Sequence, residues 1–545
     1  MKKLIITITT FLLVNLMITA SAQADDIQSL DQVKTALLSK KSNDKNEAIE
    51  WLAQSADLAT AKAVLTPWLD GNLYTRKSDD AFFVIPDLDV GKEAQPLLND
   101  STTVDKILVD NKRHFSKVRT NNSLRSDIRD VLSRMDITDS NPATRLQAIN
   151  SLLGTTNAKT VAKMDGQLKV ETDRDVQRAL ELALAINQVL TSSNTAEQID
   201  AIEVIEQSKQ SQVYSVLTQV MNSDADDSVT KAAQLGLNQY KQKQTIYGGV
   251  ETVFFGLSLG SVLVLAGIGL AITFGVMGVI NMAHGELIMI GAYTTYVIQQ
   301  LMPNHIGAVL LISIPAAFVV SGLVGILIER TVIRRLYGRP LETLLATFGI
   351  SLILQQAVRS IFSPLNRSVS TPDWMSGALQ INPMLSITYS RLYIIIFCFM
   401  VFLALVAVLK KTPLGLQVRA VSQNRAMARA MARAMGVRSE RVDAMTFGLG
   451  SGIAGVAGVA LSQLTNVGPN MGQNYIIDSF MVVVFGGVGN LWGTLVAGLS
   501  LGLFNKILEP WAGAVLAKIL VLVFIILFIQ KRPKGLFPQR GRAAE

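Results

Sequence analysis

The chain has 545 residues, 49% hydrophobic and 17% charged, with a formal net charge of +8. That length suits two or three domains, and a single cysteine, Cys398, excludes any intrachain disulfide. The averages conceal two unlike halves. Residues 25–243 are polar and rich in Asp, Lys, Gln and Ser, whereas 250–530 are mostly apolar runs. The charge therefore has to be read by location.

Residues 1–24 read as a secretory signal. Lys2 and Lys3 form a basic start, 4–19 an apolar core, and Ala20-Ser21-Ala22 or Ala22-Gln23-Ala24 a cleavage site. An uncleaved anchor helix is the alternative. Both readings put Asp25 onward outside the cytoplasm.

Residues 25–243 carry helical spacing. Asn141-Pro142 supplies a cap and a first-turn proline, followed by Leu146, Ile149, Leu152 and Leu153. Val176, Ala179, Leu180, Ala183 and Leu184 mark one buried face. The layout then repeats 53 positions on: Ala148-Ile149 matches Ala201-Ile202, and Asp175-Val176 matches Ser228-Val229. Ala48-Ile49 is an earlier, degenerate copy. The expectation is an all-α exported domain of stacked helical pairs, resembling HEAT-type repeats. No catalytic constellation appears. His114 stands alone, which suits a solvated surface, and Phe82-Phe83 near Trp68 and Tyr74 suits a core.

From 247 to 540 the chain reads as a polytopic α-helical membrane domain of about eight to nine spans. Apolar runs lie at 249–272, 274–300, 306–328, 341–362, 392–409, 444–464, 476–490, 491–508 and 514–530. The second run holds Asn281, His284 and Glu286 among Gly275, Gly278, Gly285 and Gly291. Ionisable groups there cost about 2.5–3.5 kcal/mol each on insertion scales and usually face a cavity or partner. A broken, polar-lined helix suits a transport path; a packed helix whose His284 and Glu286 satisfy each other is the alternative. Gln463, Asn466 and Asp478 add polar groups near later spans, with Asp478 also readable as structural. Arginine and lysine clusters follow the third, fifth and last runs, which predicts cytoplasmic loops there and a cytoplasmic C-terminus, with 25–243 on the other side. Thr-Phe-Gly recurs at Thr273, Thr347 and Thr446, a weak internal echo.

Residues 422–435, SQNRAMARAMARAM, form an amphipathic pattern. Arg425, Arg429 and Arg433 lie four apart, nearly opposite Met427, Met431 and Met435, with Gly436 as a stop. Such a helix suits a lipid surface or a protein groove that takes methionine. No aromatic interleaves the arginines, so nucleic acid is not an expected partner. No G-x-x-x-x-G-K-[ST] loop occurs, so the chain is not expected to bind ATP by that route itself, and a partner ATPase docking at cytoplasmic loops would supply energy for transport.

Three stretches carry a family resemblance. INMAHGELIMIGAYTTY (280–296) and GLQVRAVSQNRAMA (415–428) resemble permeases of the branched-chain amino-acid class of ABC transporters. The run 446–494 resembles the urea-transport members of that class. The resemblance implies a bacterial inner-membrane permease with a periplasmic 25–243 domain and a urea substrate. It also implies a second related permease, two ATP-binding cassette subunits and a periplasmic substrate-binding protein. Arg419, Asn424, Arg425, Arg429, Arg433, Gly436 and Arg438 would then touch an ATPase. One departure is that MARA is written twice, at 427–430 and 431–434, adding roughly one helical turn.

Urea is neutral, with four N–H donors and one carbonyl. Asn281, His284, Glu286, Gln463, Asn466 and Asp478 offer matching group types. The alternatives are branched-chain amino acids or short amides, and, in another class, a membrane receptor with an outer sensing domain. The tail after Gln530 is short for a signalling domain. No enzyme motif, cofactor site or metal site is expected: His284-Gly285-Glu286 lacks the second histidine of a metalloprotease helix.

Overall fold

The structure, a computed structural model, describes residues 27–39, 41–54, 57–97, 107–423 and 439–537. It divides into two compact units, Met1–Lys241 and Gln242–Glu545. The expected signal at 1–24 lies outside the described residues.

The first unit opens with helices α1 Leu30–Leu38, α2 Ser42–Gln54 and α3 Leu58–Asp70. Strands β1 Leu73–Arg76, β2 Phe82–Val84, β3 Glu93–Leu97, β4 Ile107–Leu108 and β5 Phe115–Lys117 follow. Then come α4 Asn122–Asp136, α5 Pro142–Ser151, α6 Ala158–Leu168, α7 Arg174–Thr191, α8 Thr195–Glu206 and α9 Ser211–Met221, and α10 begins at Asp227.

The 53-residue echo in the sequence is a repeat of three helices, not of pairs. Pro142 and Thr195, Ala158 and Ser211, and Arg174 and Asp227 start the successive helices at matching positions. The caps repeat as well. Asn141 and Asn194 accept from the backbone N–H two residues on, and so do Asp173 and Asp226. Ala148, Ile149, Ala201, Ile202, Val176 and Val229 are all buried. The HEAT-type expectation of helix pairs is thereby replaced by a three-helix unit.

The earlier copy is present too. Helices α2 and α3 begin 100 positions before α5 and α6. Helix α4 packs on α2 as α7 packs on α5. Lys45 donates to the carbonyl of Arg119, three residues before α4, at 3.1 Å. Arg145, its counterpart, pairs with Glu171, three residues before α7.

Between α3 and α4 of that copy stands an antiparallel five-stranded sheet, ordered β4-β3-β2-β1-β5. This corrects the all-α expectation: the N-terminal region is mixed α/β. The strands are two to five residues long, too short for an alternating pattern to show. Pro96 sits inside β3 opposite Phe83, where proline ordinarily argues against a strand. It is tolerated because β4 pairs only with Glu93 and Ala94. Phe82 faces the helices, in one cluster with Trp68, Leu65 and Val118. Phe83 points the other way, its ring edge-on to Phe115 with centroids 5.7 Å apart.

The second unit contains the rest of α10 (Asp227–Met277), α11 His284–Leu301, α12 Ile306–Thr331, α13 Pro340–Phe362, a hairpin of β6 Ala378–Asn382 and β7 Leu385–Thr388, α14 Tyr389–Lys411, α15 Pro413–Gln423, α16 Ser439–Ser462, α17 Met471–Gly486 and α18 Leu491–Lys531. Helix α16 is central and packs on both α11 and α12. Its Gly455 lies against Gly291 of α11 on one side and Ala317 and Ser321 of α12 on the other. A Cβ at Gly455 or Gly291 would overlap a neighbouring backbone. Small residues allow such approach where no hydrophobic force drives helices together. The outer faces keep large apolar side chains exposed, among them Leu323, Leu352, Leu403 and Leu527, as a lipid-immersed surface requires.

Six helices among the described residues are long and apolar enough to cross a membrane, against the eight to nine spans expected. The difference lies in three places. The 274–300 run is broken between Met277 and His284, leaving α11 with 18 residues. The 476–490 run is the 16-residue α17, short of the roughly 20 that a bilayer needs. The last two runs form one 41-residue helix interrupted by non-helical Gly513, at φ 76°.

Candidate functional site

The break between α10 and α11 starts at Gly278, whose φ of +65° only glycine adopts without strain. Its N–H closes α10 on Phe274 O at 2.9 Å. Asn281 turns the chain by accepting from Ala283 N at 3.0 Å, and His284 N donates to Asn281 O. Helix α11 therefore begins inside the protein, with Asn281, His284 and Glu286 each no more than 1% exposed.

His284 and Glu286 do not satisfy each other. His284 Nε2 donates to the carbonyl of Ala266 on α10 at 2.9 Å, pinning the start of α11 to the body of the preceding helix. Glu286 turns to α13 instead. Its Oε1 accepts from Ser351 Oγ at 3.0 Å and Gln355 Nε2 at 2.7 Å. Its Oε2 is buried without a hydrogen-bond partner among the described residues and faces Gly472 at the start of α17. A Cβ at Gly472 would lie 2.7 Å from it. The carboxylate thus stands where three helices meet, beside a helix N-terminus, whose dipole favours negative charge.

Sequence reasoning missed the α13 side of this site. Thr343, Thr347, Ser351 and Gln355 recur every fourth residue and are all buried. Thr347 Oγ1 accepts from Met282 N in the break at 3.1 Å. Four-residue spacing puts them on one stripe, and polar residues at that spacing in an apolar helix were the available signal. Arg359, next on the stripe, donates to Asn470 at the cap of α17 at 2.7 Å.

The other expected site residues among the described ones lie elsewhere. Gln463 donates to Ser462 Oγ at 3.3 Å and lines an apolar cavity of about 200 Å³ beside Trp374 and Tyr393. Asn466 is exposed in the loop after α16. Asp478 on α17 pairs with Lys518 on α18 at 3.1 Å, so a lysine within the last apolar run, rather than a helix cap, is its partner. Arg419 sits exposed on α15. Asn424, Arg425, Arg429, Arg433, Gly436 and Arg438, with the doubled MARA, lie outside the described residues. Among the described residues no group of three His, Cys, Asp or Glu is placed to hold a metal ion.

The arrangement is a helix broken at buried polar groups within an apolar bundle. The comparisons decide the family. The profile described as branched-chain amino acid transport system / permease component matches residues 252–529. The chain belongs to that family. It is a multi-pass membrane protein, the permease component of an ABC importer, and not itself an enzyme. The high-affinity branched-chain amino acid transport system permease protein LivH of Escherichia coli K12 is 30% identical over 297 residues, covering 53% of this chain and 94% of that protein. Its namesake from Salmonella typhimurium is 29% identical over 305 residues, with the same shares. The permease BraD of Pseudomonas aeruginosa is 28% identical over 300 residues, 53% of this chain and 96% of that protein. No solved structure gives a significant match.

Proposed function

We propose that this chain carries a small amino acid of the branched-chain type across the bacterial inner membrane, past the polar break between α10 and α11. The names of the permeases it resembles favour that substrate over the urea that the 446–494 run suggests. Glu286 is the observation that carries the path. A carboxylate oxygen buried without a partner costs several kcal/mol in an apolar setting, and a passing ammonium or amide N–H would satisfy it. In this reading Asn281, His284, Ser351 and Gln355 form the wall around Glu286, Gln463 and Asn466 flank one end of the route, and Asp478 holds α17 to α18.

Urea is retained as a second reading on one observation. The groups that hydrogen-bond Glu286 are a hydroxyl and an amide, not a cation, a set suited to a neutral diamide. The first unit, with boundaries near 25–243, would be periplasmic and the C-terminus cytoplasmic. The partners would be a second related permease, two ATP-binding cassette subunits and a periplasmic substrate-binding protein. The segment from Arg419 to Arg438 would receive the ATPase stroke.

The test is uptake of labelled leucine and labelled urea in cells with and without the gene, urease removed, each solute competing against the other. Gene-dependent leucine uptake that ignores urea supports the first reading. The reverse pattern replaces it with the second. Loss of neither uptake in the deletion rejects both.

A further inference from the structure

Away from the polar break, a chamber of about 320 Å³ opens where α14 ends. Its wall is apolar, formed by Ile272 and Val276 of α10, Val406 and Leu409 of α14, and Val418 of α15. Two cations, Lys410 and Arg419, line it as well, and both are exposed. Trp492 completes the lining, 52% exposed, its ring edge-on to Phe402 at 5.0 Å. Asn490 is committed to the fold, accepting from Trp492 N and Gly493 N and donating to Phe537 O.

Each feature has a physical reading. Lys410 and Lys411 end a 23-residue apolar helix, the level at which a membrane span meets water. An exposed tryptophan beside them marks the same level, because indole settles among lipid headgroups. An apolar chamber with cations at its mouth matches a molecule that joins an anionic head to a hydrocarbon tail. Basic pockets between membrane helices hold such heads by charge.

We propose that this chamber binds an anionic phospholipid, its phosphate against Lys410 and Arg419 and an acyl chain along Val276, Val406 and Leu409. The site wedges between the last turns of α10 and the α14–α15 corner. Bound lipid therefore braces the helix that breaks at Gly278, and connects membrane composition to the segment leading into residues 424–438.

The test uses the full chain in nanodiscs of an equal mixture of phosphatidylcholine and phosphatidylglycerol, released gently, with retained lipid counted by native mass spectrometry. The wild type is expected to retain phosphatidylglycerol in preference to phosphatidylcholine. Lys410→Gln combined with Arg419→Gln should lower that retention about tenfold, given the attraction that each basic residue supplies. Lys410→Arg should keep it. Val406→Trp leaves both charges in place but fills the chamber, and should also lose the lipid. Three results would overturn the proposal: full retention by Val406→Trp, which reduces the site to surface charge; unchanged retention without the two cations; or soluble glycerol phosphate displacing the phospholipid at equal concentration, which makes the tail irrelevant.

Discussion

Glu286 on α11 and Gln355 on α13 meet at 2.7 Å across 69 residues of chain. Glutamine at 286 keeps an oxygen to accept from Gln355 and Ser351 but removes the charge. Glu286→Gln should therefore fold and assemble normally while solute uptake falls about tenfold or more. Glu286→Ala should also destabilise the protein, by roughly 1–3 kcal/mol for each donor left unpaired. Uptake and subunit recovery measured on the same preparations separate the two effects. Wild-type uptake in Glu286→Gln would remove Glu286 from the path.

Gly455 and Gly291 permit backbone contact between α16 and α11. Gly455→Leu should push α16 off α12, where its side chain would meet Ala317 and Ser321, and abolish recovery of folded protein. Gly291→Ala should lower stability by about 1–3 kcal/mol through overpacking. Thermal unfolding in detergent gives the reading, and an unshifted midpoint in Gly291→Ala would mean that the two helices are free to separate.

Asp478 and Lys518 form an ion pair inside apolar helices. Removing one partner strands a charge, whereas removing both does not. Lys518→Met should destabilise by about 1 kcal/mol, the Lys518 side chain being 56% exposed, and the double variant with Asp478→Asn should recover much of that loss. Additive losses in the double-mutant cycle would show that the two groups do not interact.

In the first unit, Arg145 holds the Glu171 carboxyl down at about 2, against an ordinary value of 4.5. The fold prefers the ionised form. Its contribution is complete above the ordinary value and is lost as pH falls from there towards 2. Thermal midpoints between pH 7 and pH 3 should drop more steeply in the wild type than in Glu171→Gln. Parallel curves would assign the acid sensitivity to other carboxylates.

The repeat in the first unit was legible because its apolar pairs recur at one spacing, and the caps Asn141 and Asn194 mark the starts of corresponding helices. What could not be read was the middle helix of each copy, α6 and α9, which passed for a longer connection between two paired helices: α6 buries only Thr160 and Met164, too few to mark a face. The sheet was hidden by short strands and by Pro96. In the membrane half, Asn281, His284 and Glu286 stood out because charge is rare in apolar runs. Their partners did not. Ser351 and Gln355 are unremarkable in composition, and only the packing of α13 on α11 brings them to Glu286. Similarly, Lys518 sits in the last apolar run, and nothing local ties it to Asp478.

The sheet between α3 and α4 has a further consequence. Adjacent residues Phe82 and Phe83 seal two different interiors, so the strands are mortar between the helices and a second small core rather than an ornament hung from a loop. Such an insertion works as a ratchet. Because Phe82 belongs to the same buried cluster as Trp68, excising the strands would open an apolar gap in the helical frame. Later change is then confined to the turns and outward faces of the sheet, and those are the places where this unit is free to acquire new recognition.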